Sequence, residues 1–300
     1  MKVSKFEFVL HTLNSFFLPE FKGSTFRGRF GHTLKQTICV MRGQRCESCP
    51  LQITCPYIYL FQTRSQRQED TVRPFVLEPP LTRKRFYLKN EVIYLNLILV
   101  EKAIEYLPYF VYCFQRMGQE GIGRERGKYY LEEVRAFDVN GKKQSIFCGD
   151  QRELSNEFPR IELDHFRAHF LPQITLHFLT PTAIKENGKI LQQLPFPALI
   201  KAILRRYHRL RYNHGDGQRE TFEIDWEAAA QIGVVYQDLT RQYFRRYSNR
   251  QGRPVPVEGF VGKVVFRGNL TPFYPWLKIG EYLHVGKGAT FGLGWYRVLE

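Results

Sequence analysis

The chain is poor in acid, and this narrows its role before any motif is read. Asp and Glu number 29 against 44 Lys and Arg, giving a formal net charge of +15 over 300 residues. A deficit of this size implies a polyanionic partner, with nucleic acid the first candidate and no small-molecule substrate expected. No carboxylate cluster suited to a catalytic magnesium ion stands out. Long apolar runs are also missing. The longest, Val92–Val100, is broken by Asn96 and falls well short of the ~20 residues a membrane span needs. Residues 1–20 lack a sustained apolar stretch and a small-residue cleavage site, so no secretory leader is expected. A cytoplasmic protein without a membrane partner follows as the expectation.

What is present suits a folded protein of one large or two medium domains. Hydrophobic residues make up 43% of the chain, with 25 Phe and 17 Tyr. Alternation of Phe6, Phe8 and Leu10 with polar residues predicts a strand over Lys5–His11. Phe26, Phe30, Leu34 and Ile38, four apart, predict a helix over Ser24–Met41 with Ser24 as its N-cap. Arg42–Pro56 reads as a cysteine-bearing loop, and Arg73–Val100 as extended strands broken at Pro79-Pro80. A helix over Glu101–Met117, a Gly loop at Gly121 and a strand follow. This order is ferredoxin-like. Downstream, a strand near Phe170–Leu179, a helix over Phe196–Tyr212 and a mostly helical Phe222–Leu239, broken near Gly233, precede glycine-rich closing strands. The predicted division is 1–155, carrying the four-cysteine loop 39–56, and 156–300, carrying a Gly-rich loop at 286–294.

That closing loop holds Gly286, Gly288, Gly292 and Gly294 around Lys287. Glycines let backbone N–H groups approach a phosphate, although a tight turn accounts for such a loop equally well. GIGRERGKYYLEEV at Gly121–Val134 repeats the layout of helix, glycine loop and strand, which suggests two related halves.

Cys39, Cys46, Cys49 and Cys55 are spaced C-x6-C-x2-C-x5-C. Four thiolates in so short a stretch can close a tetrahedral structural site, for zinc ahead of an iron–sulfur cluster. Four free thiols are the alternative.

LPEFKGSTFRGRFGHTLKQTIC (Leu18–Cys39), LTPTAIKENGKI, RYSNRQ and the closing block GFVGKVVFRGNLTPFYPWLKIGEYLHVGKGATFGLGWYRV together resemble the CRISPR precursor-RNA processing endoribonucleases of the RAMP superfamily. The resemblance implies an α+β protein of two ferredoxin-like, RRM-like domains side by side. It implies an endoribonuclease that cuts CRISPR repeat RNA without a catalytic cofactor, leaving a 5′-hydroxyl and a 2′,3′-cyclic phosphate. Other CRISPR effector subunits are the further partners expected. The runner-up is a RAMP subunit that grips guide RNA without cutting it; a zinc-stabilised RNA-binding protein is a more distant third.

The family often carries its catalytic histidine in the first-helix region, where this chain has His32. On a regular helix Arg29 and Lys35 lie one turn to either side, giving a general base beside two cations. A surface histidine on a basic helix is the alternative. His11, His214 and His284 compete, with His214 expected in a solvated loop. RNA contacts are expected from Arg27, from Gly286, Lys287, Gly288 and Gly292, and from basic arms at Lys201–Arg211, including Lys201, Arg205 and Arg209, and at Arg241–Arg253. Gly28 and Gly31, inside the helix, suggest close approach by another backbone.

Overall fold

In the computed structural model, residues 1–62, 72–151, 153–186, 188–218, 222–248 and 252–300 are described, Ser248 by its backbone alone. Asn249–Gln251, within the predicted RYSNRQ segment and the second basic arm, lie outside the described residues. The chain divides into two units, one of Met1–Ile161 with Asn213–Gly215, the other of Glu162–Tyr212 with Asp216–Glu300.

Alternation builds the first sheet. β1 (Lys2–Thr12) turns Phe6, Phe8 and Leu10 to one face, where all three are fully buried. A short β2 (Phe16–Phe17) leads to helix α1 (Gly23–Ile38). β3 (Phe75–Glu78), the short β4 (Phe86–Tyr87) and β5 (Val92–Val100) follow, then α2 (Leu107–Glu120), β6 (Tyr129–Phe137) and β7 (Lys143–Cys148). The sheet order is β3-β5-β1-β6-β7, every pairing antiparallel. β1 thus lies centrally, with Phe8 opposite Leu95 on one side and Val134 on the other. This is the ferredoxin-like order with β7 added at one edge. The chain leaves through β8 (Ile161–Glu162), which pairs with β1.

The two helices cover the apolar face through an aromatic cluster. Phe30 of α1 stacks on Phe110 of α2 with ring centroids 4.2 Å apart, and its ring also meets Phe61, Phe75 and Phe114 at 5.5–6.1 Å. The opposite face is ionic. Glu78, almost wholly buried, accepts from Lys5 and from Asn96, and Glu7 accepts from Lys143 and Arg135.

The second unit repeats the plan. β9 (Gln173–Thr182) is followed by a small hairpin, β10 (Lys185–Glu186) and β11 (Lys189–Ile190), then by α3 (Phe196–His214) and the single turn-and-a-half of α4 (Trp226–Gln231). β12 (Gly233–Ser248), β13 (Arg253–Arg267), α5 (Tyr274–Leu283) and β14 (Tyr296–Leu299) complete it. The order β12-β13-β9-β14 is again ferredoxin-like. In both units a glycine loop joins the second main helix to the strand that pairs beside the first.

Three expectations need correction. Ser24 does not cap α1; Lys22 holds the N-cap, without a side-chain hydrogen bond to the helix. Lys22 is itself buried, donates to the carbonyls of Glu20 and Thr82, and burial pushes its ammonium down to about 8. Residues 101–106 form a 3-10 turn before α2 rather than its start. Residues 233–239 are strand, not helix. Asp225 caps α4 by accepting from the Ala228 N–H, but β-branched Val234 and Val235 favour the ladder with β13.

The Phe30 cluster makes a direct prediction. Phe30→Ala removes a fully buried ring from the α1–α2 contact and is expected to cost about 3–5 kcal/mol, measured by urea unfolding.

Candidate functional site

Burial of Phe26, Phe30 and Leu34 fixes how α1 is rotated about its axis, and so which side chains it shows to water. His32 is on the exposed face, and takes no hydrogen bond among the described residues. It lines a depression of about 600 Å³ together with Lys35, Cys39, Arg42, Gln44 and Arg116. The wall is cationic, supplied by α1, by the turn after it and by α2.

Arg29 is placed differently from His32 and Lys35. It is ion-paired with Glu120 of α2 and does not line the depression. Glu120 also holds Arg116 at 2.6 Å, and Arg116 donates to Thr37 Oγ1 at 3.2 Å. One carboxylate therefore ties together two cations from different helices. Lys35 Nζ stands 5.6 Å from the centre of the Tyr57 ring, and Arg27 lies over Phe61 at 4.7 Å. Arg42 and Arg116 were not singled out from the sequence. Arg42 belongs to the turn after α1, and Arg116 reaches the wall only through long-range packing.

The two helix glycines differ. A Cβ at Gly31 would stand 2.6 Å from the Phe61 ring, so its neighbour is a side chain and not a backbone. A Cβ at Gly28 would meet nothing within 4 Å.

No disulfide joins Cys39, Cys46, Cys49 or Cys55. Among the described residues no three Cys, His, Asp or Glu side chains converge on a point where a metal ion could sit. Cys49 is buried and the other three are half-buried. Burial raises the Cys46 thiol, with Lys35 pulling the other way.

Among the competing histidines, His11 is paired with a carboxylate. Its Nε2 is 2.8 Å from Glu132 Oε2, and its ring stacks on Tyr130 at 5.1 Å. Glu132, the group that orients it, lies on a neighbouring strand and carries no local sequence signal. His214 is buried rather than solvated. His284 is fully buried, stacked on Trp295, with Nδ1 3.1 Å from the Leu293 carbonyl.

In the second unit the Gly-rich loop is wired into its own sheet. Gly286, Gly288, Gly292 and Gly294 all have φ between 73° and 82°. A Cβ at Gly294 would lie 1.7 Å from the Val285 carbonyl oxygen, and one at Gly286 2.6 Å from that of Ala183. Thr180 Oγ1 donates to the Gly292 carbonyl at 2.7 Å, and the Gly294 N–H donates to Pro181. The fold itself thus demands these glycines, whatever else approaches them. Gly292 is buried, whereas Lys287 is exposed. Arg206 of α3 donates to the Leu283 carbonyl at the end of α5, which secures the entry to the loop. On α3, Lys201 and Arg205 are exposed and Arg209 is half-buried.

On β12, Tyr243 and Tyr247 are 58% and 62% exposed and alternate with Arg241 and Arg245 along one side of the strand.

Comparison with known proteins agrees with this architecture. Residues 176–296 match the family described as CRISPR-associated endoribonuclease Cas6, and residues 1–159 match AF_1859_N, described as an N-terminal domain. The Cas6 family domain is therefore carried by the C-terminal part of the chain, and the AF_1859_N domain by the N-terminal part. An uncharacterized protein of Archaeoglobus fulgidus is 26% identical over 292 residues, covering 94% of this chain and 92% of that one. A Cas6 product complex aligns over 99% of this chain and 100% of its own at TM-score 0.58 and 16% identity. Thermus thermophilus Cas6 aligns over 99% and 98% at TM-score 0.53 and 15% identity. At these identities the structural likeness speaks for the fold, two ferredoxin-like domains as expected. No helix among the described residues is long and apolar enough to cross a membrane.

The loop geometry generates a stability prediction. Gly294→Ala combines a left-handed backbone with a collision and is expected to cost at least about 2 kcal/mol, whereas Gly43→Ala, at φ 92° with open space around it, carries backbone strain alone and costs about 1 kcal/mol. Denaturant midpoints of the two variants check the order.

Proposed function

We propose that this Cas6-family chain cleaves CRISPR repeat RNA, and that it does so by attack of the RNA's own 2′-hydroxyl, without a metal ion in the chemistry. The observation that carries the reading is His32, exposed in a depression walled by Lys35, Arg42 and Arg116. His32 takes the proton of the 2′-hydroxyl next to the scissile phosphate, a task for which imidazole is suited near neutral pH. The freed oxygen attacks phosphorus. Lys35 and Arg42 offset the charge that builds on the phosphorane oxygens. The departing 5′-oxygen takes a proton from solvent, to which the depression opens. The products are a 2′,3′-cyclic phosphate and a 5′-hydroxyl. Arg29 serves as a positioning residue, since its pairing with Glu120 holds α1 and α2 together beside the site.

His11 supports a second assignment of the base within the same reaction, because Glu132 at 2.8 Å fixes its imidazole. In this reading Lys201, Arg205, Arg209, Arg27 and Lys287 contribute charge toward the RNA backbone, and other CRISPR effector subunits receive the product. Apart from Arg42, the four-cysteine loop has no part in the reaction.

Incubation of the protein with labelled repeat RNA in EDTA is expected to give cleavage, and a 2′-deoxy sugar just upstream of the scissile phosphate to give binding without cleavage. Cutting of the deoxy substrate would sink the mechanism, and binding without any cutting of the natural repeat would make the protein a guide-RNA subunit. His32→Ala is expected to slow single-turnover cleavage by about 10²–10⁴-fold with little change in affinity. Full activity in that variant, with loss in His11→Ala, transfers the base to His11.

A further inference from the structure

One end of the first unit's sheet carries an aromatic and cationic surface that the reaction above does not use. Three segments meet there. β2 pairs with β4, placing Phe17 opposite Phe86 with ring centroids 4.7 Å apart. The loop between α2 and β6 docks on β2 and the turn before it. The Phe17 N–H donates to Glu125 Oε2 at 3.0 Å, and the Lys128 N–H donates to Asn14 Oδ1 at 2.7 Å. The loop is closed on itself by paired hydrogen bonds between Ile122 and Gly127. A Cβ at Gly127 would fall 2.0 Å from the Phe16 ring, so glycine is required for this fit. The surface is therefore built and rigid rather than a loose tip.

Its composition is unusual for solvent. Phe17 and Phe86 are 50% and 41% exposed although they touch each other, and Leu13 and Leu88 extend the apolar floor. Arg85, Arg124, Arg126 and Lys128 are exposed around it and form no ion pair among the described residues. The nearby carboxylates are occupied: Glu125 by the Phe17 N–H, and Glu91 by Lys84 and the Leu88 N–H. A protein contact of this size would match apolar area with apolar area. Four unpaired cations around two exposed rings fit a ligand that carries phosphate and flat, apolar faces together.

We infer that this surface binds single-stranded RNA, with bases stacking on Phe17 and Phe86 and phosphates meeting Arg124, Arg126, Arg85 and Lys128. The inference rests on the RNA reading above and deepens it, by giving the first unit a grip on unpaired nucleotides separate from the His32 depression.

The test uses the full chain and an unstructured oligoadenylate carrying one 2-aminopurine, whose fluorescence reports stacking. Wild-type protein is expected to bind it and change its fluorescence. Phe17→Ala with Phe86→Ala is expected to weaken binding about tenfold or more and abolish the fluorescence change, whereas Phe86→Tyr retains both. Arg124→Ala with Arg126→Ala is expected to weaken binding and lower the salt slope by about 1.4. Both rings are half exposed, so melting temperatures near wild type should confirm that the variants are folded. Failure of the wild type to bind this RNA overturns the inference, while cleavage of repeat RNA judges the reaction separately. Unchanged affinity and fluorescence in the Phe17→Ala/Phe86→Ala protein also overturn it. So does unchanged RNA affinity with an altered oligomeric state, which would make the patch a protein contact.

Discussion

The packing of Phe30 between α2 and the first sheet is the contact on which the site depends. A helix bearing an apolar stripe on one side has only one rotation that buries the stripe, and here Phe110, Phe114, Phe61 and Phe75 set it. Once Phe30 is inserted, His32 must face water and Lys35 must lie beside it. The same packing brings α2 close enough for Glu120 to reach Arg29 and for Arg116 to join the wall of the depression. Core geometry and site geometry are two consequences of one contact.

Excess positive charge is managed differently across the first unit. On the ionic face of the sheet, Lys5, Lys143 and Arg135 are matched by Glu78 and Glu7, which lets those carboxylates be nearly buried. Around α1, Glu120 is shared by two arginines, and Lys35 and Arg42 remain for an incoming anion. At the end of the sheet the carboxylates turn to backbone N–H groups, leaving the arginines outward. The scarcity of acid thus matters locally: there are too few carboxylates to neutralise every basic surface, and the cations left over mark where a polyanion fits.

Glycine plays a tertiary part in both units. The repeated layout of helix, glycine loop and strand is real, and it marks the same step in each ferredoxin-like unit. Gly127 makes room for Phe16, and Gly294 makes room for the Val285 carbonyl. Such positions read in a sequence as phosphate-binding signals because glycine content cannot distinguish an external ligand from the protein's own atoms. Gly28 differs from these, with open space above it on α1.

Local periodicity was enough to determine most elements, including the stripe of α1, the alternation of β1 and the order that makes each half ferredoxin-like. These depend on residues two to four apart, which the sequence displays directly. Candidates on one helix, such as His32 and Lys35, were legible for the same reason. Tertiary structure decided the rest. Residues 233–239 became strand because β13 offered a ladder partner far along the chain, turning Tyr243 and Tyr247 outward. Spacing makes the four cysteines a candidate metal set, but thiol convergence depends on the path of the loop between them. Arg116, Glu120 and Glu132 joined the candidate sites because packing places them there, and a charge's partner across space leaves no mark in the residues beside it.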